Sequence, residues 1–186
     1  MPVFSSNNDP GSPIIDFSLK GIDGKFYSPE KFKDAEIFVI IFQCNHCPYV
    51  KAVMDRFVSL QEKYMDKKVQ LIGINSNDPV AYPEDSFENM IRFAEKYNIN
   101  FPYLADDTQQ TAREYGAVCT PDIYVYDKER KLRYRGRLDD SWKDKSKITS
   151  KDLENAIELL LLGKKIDFQQ IPSMGCSIKW KDIPAT

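Results

Sequence analysis

Two cysteines, Cys44 and Cys47, lie three positions apart in the stretch FVIIFQCNHCPYVKAVMDRF, with Asn45 and His46 between them. They are two of the four cysteines in the chain, and His46 is its single histidine. Two thiols at this spacing can close a small disulfide ring and exchange electrons with another disulfide through a mixed disulfide. The pattern therefore predicts thiol–disulfide chemistry at residues 44–47.

The position of the pair between two elements supports this interpretation. The apolar run Ile37–Phe42 has the length of a buried strand, and helical periodicity runs from about Cys44 to Tyr64. Unpaired N–H groups and the positive dipole end of a helix lower a thiol pKa from ~8.5 to about 3.5–7.5. We therefore expect Cys44 to be the partly exposed N-cap nucleophile and Cys47, one turn later, to be the resolving thiol. Pro48 would lie in the first helical turn, where its missing N–H costs little.

His46 is expected to tune the redox potential of the pair. An imidazole beside the first cysteine favours the thiolate, and stabilising the reduced form makes the pair a stronger oxidant. The alternative is an exposed histidine at a convenient helix start. On the tuning hypothesis, His46→Ala makes the pair more reducing.

Two other interpretations of the cysteines compete with redox chemistry. A structural zinc site needs four ligands, and Cys44, His46 and Cys47 offer two or three. Cys119 and Cys176 would have to complete the set in space, since no second CxxC motif and no HxxxH motif occurs. Alternatively, the pair consists of buried cysteines that act as small apolar residues.

The two remaining cysteines are further candidate thiols. Cys119 lies two positions before Pro121 and is either a third redox thiol or, as free cysteines usually are, a buried filler. Cys176 lies in IPSMGCSIKWK, whose apolar residues are expected to dock on the body of the protein. If that docking reaches the CxxC pair, Cys176 could serve as a second resolving thiol.

The elements around the pair alternate between strand and helix, which predicts an α/β protein with a parallel core and helices on both faces. A hairpin follows residue 14, and a closing hairpin adds an antiparallel edge. The predicted strands are Ile37–Phe42, Val69–Asn75, Phe101–Leu104, Ile123–Asp127 and Leu132–Gly136. The predicted helices are about Cys44–Tyr64, Asp85 or Ser86 to Tyr97, Asp107 or Thr108 to Tyr115, and Thr149 or Ser150 to Gly163.

Length and composition indicate one domain of 186 residues. Residues 1–13, rich in Ser, Asn, Pro and Gly, are expected to be loose, residues 14–163 to form the domain, and residues 164–186 to be an extension docked on it. The net charge of −2 gives no electrostatic reason for binding nucleic acid or an anionic membrane. No run approaches the roughly 18 apolar residues of a membrane span. The start lacks a secretory signal pattern, so we expect a cytoplasmic protein.

A buried strand ending in CxxC, a helix and the later segment VCTPDIYVYD together resemble the thioredoxin fold. The resemblance implies a three-layer α/β/α domain with a central mixed sheet, an N-terminal β-hairpin, inserted helices and a C-terminal extension. It also implies that Pro121 is cis and faces Cys44 and Cys47. Thr120 would offer backbone groups to an extended substrate, and Asn45 and Pro48 are further candidate substrate-binding residues.

Within that superfamily, residues 14–163 resemble the branch of AhpC/TSA redoxins and ResA/TlpA-type oxidoreductases. The segments FQCNHCPYVKA, GINSNDPVAYPEDSFENM and YRGRLDDSWKD are similar to proteins usually called thioredoxin-family or redoxin-domain proteins. The resemblance implies that the partners are protein or small-molecule thiols and disulfides, or peroxides, and that the chain is a monomer or a homodimer. No organic cofactor is implied, since cysteine sulfur alone can carry the electrons, and no metal is assigned.

The chain also departs from these patterns. Aligned on Cys44, the peroxiredoxin pattern Pxxx(T/S)xxC would place Pro at Ile37 and Thr or Ser at Ile41. Thioredoxins commonly carry a buried acid where this chain has Phe38, and ResA-type proteins carry Glu where it has Val50. The departures at Ile37 and Ile41 argue against direct peroxide reduction, since those positions help to shape a peroxide pocket. With Phe38 in place of an acid, proton transfer from Cys47 would need water or another group.

Three functions follow in order of preference. The first is a thiol–disulfide oxidoreductase using Cys44 and Cys47. The second is a peroxiredoxin-like antioxidant enzyme. The third is a metal-binding module that holds an ion through Cys44, His46 and Cys47.

Overall fold

The computed structural model describes residues 2–5 and 10–181, and these residues form ten strands and four α-helices. The strands are β1 (Val3–Phe4), β2 (Leu19–Gly21), β3 (Phe26–Tyr27), β4 (Ile37–Phe42), β5 (Val69–Asn75), β6 (Tyr103–Ala105), β7 (Cys119–Thr120), β8 (Asp122–Tyr126), β9 (Leu132–Arg135) and β10 (Met174–Ser177). The helices are α1 (Pro48–Tyr64), α2 (Phe87–Tyr97), α3 (Gln110–Glu114) and α4 (Asp152–Leu161).

A seven-stranded mixed sheet in the order β3-β2-β6-β5-β4-β8-β9 forms the centre of the fold. β4 pairs in parallel with β5 and antiparallel with β8, and β5 pairs in parallel with β6. All six residues of β4 are buried, as expected for a central strand covered on both faces. β4 is therefore an inner strand of the sheet, and it ends shortly before the CxxC pair.

Helices cover both faces of this sheet. Alternate residues of β4 belong to two different apolar clusters, because successive side chains point to opposite faces. One cluster contains the buried faces of α1, α2 and α4. The other contains α3 residues and the segment that leads into β2. This arrangement confirms the predicted three-layer α/β/α class with a mixed sheet.

The first helix begins later than the sequence indicated. α1 begins at Pro48, with Cys47 rather than Cys44 as its N-cap residue. The ring of Pro48 disfavours helical backbone at the preceding residue, and Cys47 accordingly has φ −62° and ψ 121°. The expectation that Cys44 is the N-cap residue is therefore wrong.

A second sheet, in the order β1-β10-β7, involves both ends of the described chain. Val3 pairs with Gly175, and Cys176 pairs with Thr120. Residues 1–13 were expected to be loose, but Val3 and Phe4 form a strand because β10 supplies an edge for them. The remaining residues 1 and 6–9 of that segment lie outside the described residues, as do residues 182–186 of the extension.

Gly175 lets β10 approach β7 closely. A Cβ atom at this position would lie 1.9 Å from the backbone oxygen of Thr120, so a larger residue would force the two strands apart. The extents of the domain and its extension remain predictions. Over residues 2–5 and 10–181, every helix falls short of the length and apolar character that crossing a membrane requires.

Candidate functional site

The two cysteines of the CxxC pair meet at Thr120. The Sγ atom of Cys44 lies 3.4 Å from Thr120 Oγ1, and the Cys47 thiol donates to the Thr120 backbone oxygen at 3.2 Å. Both cysteines are free and buried, Cys44 being 1% exposed and Cys47 not measurably exposed. The Thr120–Pro121 peptide bond is cis, as the resemblance implied. The expectation that Cys44 is partly exposed is wrong, because Cys44 is buried in an apolar cluster and contacts Thr120.

The negative charge of the pair is favoured at Cys47, not at Cys44. A hydrogen bond from the Cys44 thiol is the largest influence that lowers the pKa of Cys47, against the effect of burial. Smaller contributions come from Thr120, from Cys176 and from the backbone N–H of Val50 at the start of α1. The same bond to Cys47, together with burial, raises the pKa of Cys44. The interaction between the two thiols thus moves their pKa values in opposite directions, and the N-cap position of Cys47 adds a smaller contribution in the same sense.

His46 forms a charge pair with Asp85. Its Nδ1 atom lies 2.5 Å from Asp85 Oδ2, and this hydrogen bond is the largest influence that raises the pKa of His46. Burial opposes the charged carboxylate of Asp85, but hydrogen bonds from His46 and Asn77 outweigh burial and lower its pKa. The imidazole therefore carries a positive charge next to the cysteines over a wider pH range than a free histidine would.

Asp85 is the functional residue that sequence reasoning missed. The sequence offered Asp85 or Ser86 as the start of a helix, and the N-cap residue of α2 is Ser86. The Asp85 side chain instead accepts the backbone N–H of Asn45 at 2.6 Å and the Asn77 amide at 2.7 Å. A contact across 40 positions has no local signature in the sequence. The segment GINSNDPVAYPEDSFENM, which carried part of the family resemblance, contains Asp85 and its donor Asn77.

Asn45 and Pro48 differ in what they present to a substrate. The Asn45 side chain donates to the Glu84 backbone oxygen at 2.9 Å and accepts from Tyr103 OH at 2.8 Å, and it is 5% exposed. It therefore holds the CxxC loop in place. Pro48 is exposed at the first position of α1 beside the pair.

Cys119 lies apart from the reacting sulfur atoms. Its thiol lies 3.9 Å from the backbone oxygens of both Pro121 and Ser173, and its side chain is fully buried. Burial raises its pKa. These surroundings favour the interpretation of Cys119 as a small buried filler.

Cys176 is brought to the CxxC pair by the docked tail. Its side chain packs against the same apolar cluster that contains Cys44 and Cys47, and the neighbouring Cys47 thiol contributes to raising its pKa. Cys176 is half-buried, and burial is the main influence that raises its pKa. The condition under which the sequence predicted a second resolving thiol, docking that reaches the pair, is therefore met.

An apolar groove begins at Pro121. It encloses about 180 Å³, and Tyr49 and Trp142 form one wall with ring centroids 4.2 Å apart. Phe4 and Met174, from the paired strands β1 and β10, contribute the opposite wall. The groove gives an extended apolar segment of a substrate a surface next to the cis proline.

The metal-binding interpretation fits the geometry only in part. Within residues 2–5 and 10–181, the donors that lie within 4.8 Å of one another belong to Cys44, His46 and Asp85, so Asp85 takes the place predicted for Cys47. Three donors are one short of a closed zinc site. The raised pKa of Cys44 also disfavours the thiolate that a metal requires.

Comparison with known proteins identifies relatives of two kinds. The sequence profile of the AhpC/TSA family matches residues 10–135. A chloroplastic peroxiredoxin Q from Triticum aestivum is 27% identical over 131 residues, which are 67% of this chain and 57% of that protein. The thiol-disulfide oxidoreductase ResA of Geobacillus thermodenitrificans is 24% identical over 123 residues, 66% of each chain. The chain spans about half the length of the peroxiredoxin relatives.

Solved structures include a much closer relative. A conserved protein from Geobacillus kaustophilus, described as uncharacterized, is 43% identical and covers all of this chain. The match takes in 98% of that chain with a TM-score of 0.93. The whole fold, including the tail that carries Cys176, is therefore shared with a protein of known structure.

Proposed function

The chain belongs to the AhpC/TSA family, and from that premise we propose that it is a thiol–disulfide oxidoreductase whose redox groups are Cys44 and Cys47. Membership of this family supports oxidoreductase activity with thiol, disulfide or peroxide substrates. The observation that carries the finer proposal is the shared contact of both thiols with Thr120, at 3.4 Å and 3.2 Å. Two reduced sulfur atoms that interact with each other and with one residue can close a disulfide without moving the backbone far.

The reaction begins when the Cys47 thiol, whose pKa is lowered, gives up its proton to water and becomes a thiolate. It attacks one sulfur of a substrate disulfide, which forms a mixed disulfide and releases the other sulfur as a thiolate that takes up a proton. Cys44 then attacks the Cys47 sulfur, its proton passes to the second leaving thiolate, and the Cys44–Cys47 disulfide closes. Two electrons move from the pair to the substrate, and the same steps in reverse oxidise a dithiol.

His46 and Asp85 set the electrostatics of that reaction. The protonated imidazole favours the thiolate, and the buried carboxylate keeps the imidazole protonated and oriented. Asp85 also raises the pKa of Cys44 by charge repulsion. This combination leaves one thiolate for attack and one thiol for resolution.

The groove at Pro121 is the proposed binding surface for the substrate chain. Tyr49, Trp142 and Pro121 offer apolar contacts, and Pro48 is exposed at the start of α1. Thr120 was expected to pair with an extended substrate, but its strand β7 already pairs with β10. Substrate binding along Thr120 therefore requires β10 to move aside.

Reduction of insulin disulfides with a dithiol donor tests the proposal. We expect wild type to reduce insulin, Cys47→Ser to abolish turnover, and Cys44→Ser to abolish it once Cys176 is also replaced by Ser. Cys119→Ala, which changes a buried thiol away from the pair, is the matched control and should retain activity. Turnover that survives both Cys44→Ser and Cys47→Ser would refute the assignment.

Peroxide reduction is the second candidate, favoured by the similarity to peroxiredoxin Q over 67% of the chain. The same variants are used with hydrogen peroxide as oxidant and a dithiol as donor. Peroxide consumption that depends on Cys47, without reduction of insulin, would select this candidate over the first.

A further inference from the structure

We propose that Cys176 is a third redox thiol, which forms a disulfide with Cys47 inside the folded chain. The proposal rests on the proposed function and extends it from two sulfur atoms to three. On this proposal the C-terminal tail supplies a reacting thiol as well as a strand that pairs with β7.

The first support is the register of the second sheet. β10 lies antiparallel to β7 with Cys176 opposite Thr120, the residue that Cys44 and Cys47 both contact. Cys176 packs against the apolar cluster that contains Cys44 and Cys47, and the thiols of Cys176 and Cys47 lie close enough for each to shift the pKa of the other. Cys47 therefore has two thiol neighbours, one from its own loop and one from the tail.

The second support is that the tail is fixed on both sides of Cys176. Before it, the Ser5 N–H donates to the Ser173 oxygen at 3.0 Å, and Gly175 permits the close approach to Thr120. After it, the Ile178 N–H donates to the Val118 oxygen at 3.0 Å. The backbone N–H of Lys179 donates to the side chain of Asn77, which in turn donates to Asp85. The position of Cys176 is thus part of the same framework that holds the His46–Asp85 pair.

The chemistry requires only a disulfide as oxidant. After Cys47 has attacked a substrate disulfide, the Cys47 sulfur carries the first half of that substrate as a mixed disulfide. Cys176 attacks the Cys47 sulfur, its proton goes to the departing substrate thiolate, and a Cys47–Cys176 disulfide forms. The products are two reduced substrate thiols and one protein disulfide, as in resolution by Cys44. Cys44 remains a thiol and can later attack Cys47 to release Cys176.

Cys119 precedes Thr120 in the sequence, but its thiol is not placed to attack the Cys47 sulfur. Adjacent residues of a strand point to opposite sides, and the Cys119 thiol contacts the Pro121 and Ser173 oxygens. This difference between Cys119 and Cys176 supplies the control for the experiment.

The test uses the full chain carrying Cys44→Ser, treated with dithio-bis-nitrobenzoate in its folded state. We expect release of two equivalents of thionitrobenzoate per chain, and a product that carries no adduct and is two hydrogens lighter by intact mass. With Cys44→Ser/Cys176→Ser, we expect one equivalent and one stable adduct on Cys47. Cys44→Ser/Cys119→Ala should behave as Cys44→Ser does.

An adduct that persists on Cys47 of the Cys44→Ser variant, or separate adducts on Cys47 and Cys176, would overturn the proposal. If Cys44→Ser does not fold, the wild-type chain is oxidised with less than one equivalent of reagent, digested and mapped without reduction. A peptide pair linking Cys47 to Cys176 is then expected beside the Cys44–Cys47 species, and its absence overturns the proposal. Neither readout needs insulin or peroxide turnover, so failure of the proposed function would be seen separately.

Discussion

At the scale of single residues, the charge next to the cysteines depends on a pair assembled from two segments. His46 follows β4, and Asp85 closes the turn before α2, yet their side chains meet at 2.5 Å. The ring of Tyr82 stacks on the imidazole at 5.5 Å between centroids and covers one of its faces. The orientation of the histidine is therefore fixed from two sides, which is what a residue that tunes a neighbouring thiolate requires.

His46→Ala should make the CxxC pair more reducing. The substitution removes a positive charge beside the thiolate and leaves the buried Asp85 carboxylate uncompensated, so the reduced form loses stability. A loss of about 1.4 kcal/mol corresponds to a reduction potential lower by about 30 mV. Equilibration with glutathione, read by thiol trapping, measures this shift. Lys51→Ala, which removes an exposed charge from the first turn of α1, is the control and should leave the potential nearly unchanged.

Asp85→Asn should lower the pKa of His46. The hydrogen bond to the carboxylate is the largest influence raising that pKa, and without it the burial of the imidazole acts in the opposite direction. Charges on Cys47 and Lys179 also act on His46, with opposite signs. Because the chain has one histidine, a single imidazole resonance reports the titration by NMR.

We expect the His46 midpoint to lie above the ordinary value of about 6.5 in wild type and below it in Asp85→Asn. Glu84→Gln is the matched control, because Asn45 contacts only the backbone oxygen of Glu84. A midpoint that Asp85→Asn leaves in place would show that the pair is not formed in solution.

The residues of the site divide into those that spacing reveals and those that it does not. Cys44, Cys47 and His46 stand out because a redox pair needs two nearby sulfur atoms, and the segment before Pro121 stood out through family resemblance. The expected N-cap position of Cys44 was wrong because α1 begins at Pro48. Which of the two sulfur atoms attacks the substrate stays a prediction. The role of Asp85 could not be predicted from the sequence, because Asp85 and Asn45 are 40 positions apart in the chain.

At the scale of elements, strand length decides what the sequence could predict. β4 has six residues, all of them apolar, and β5 has seven, among which Val69, Leu71, Ile72 and Ile74 are apolar. The predicted bounds of both strands match the structure. β1 and β7 have two residues each, and β10 has four, including a glycine. Segments this short carry no periodicity, so the second sheet forms through pairing that only the folded backbone defines.

Gly175→Ala should separate β10 from β7. The added methyl group would lie 1.9 Å from the Thr120 oxygen, and overpacking of this kind costs about 1–3 kcal/mol. We expect a lower free energy of unfolding in urea and faster alkylation of Cys47 and Cys176 by iodoacetamide, resolved by mass spectrometry.

Ser177→Ala lies on the same strand and serves as the control, with little change expected in either measurement. If Gly175→Ala lowered stability without changing the alkylation of Cys47, β10 would not be the element that covers the pair.

At the scale of the whole molecule, the cis-proline loop is joined to the sheet edge by a buried ion pair. Asp122, next to Pro121, accepts from Arg135 at 2.7 Å, and both side chains are at most 2% exposed. Arg135 also donates to the Gly116 oxygen at 2.8 Å, which links the end of α3 to β9. This pair therefore fixes the position of the loop that the thiols contact.

Asp122→Ala should lower the free energy of unfolding by about 3–5 kcal/mol, because it removes the carboxylate that neutralises the buried Arg135 charge. Asp55→Ala breaks the exposed Lys145–Asp55 pair and is the control, with an expected change of at most about 1 kcal/mol. Urea unfolding monitored by circular dichroism compares the two. Equal effects of the two substitutions would show that Arg135 finds another partner or water in the variant.

The overall class was predictable because alternating strands and helices permit few layer arrangements. Two apolar clusters, one on each face of the sheet, follow from the uninterrupted apolar residues of β4. The position at which the C-terminal extension docks was not predictable. Its apolar residues indicate that the segment packs on the domain, but they do not indicate where. The structure places it across the redox pair.

The pairing of Val3 and Phe4 with β10 has a practical consequence for anyone who handles this protein. A protease that trims the chain past Phe4 would deprive β10 of its outer neighbour. Thiol reactivity measured on such material would then describe an altered enzyme, even though every cysteine was still in place.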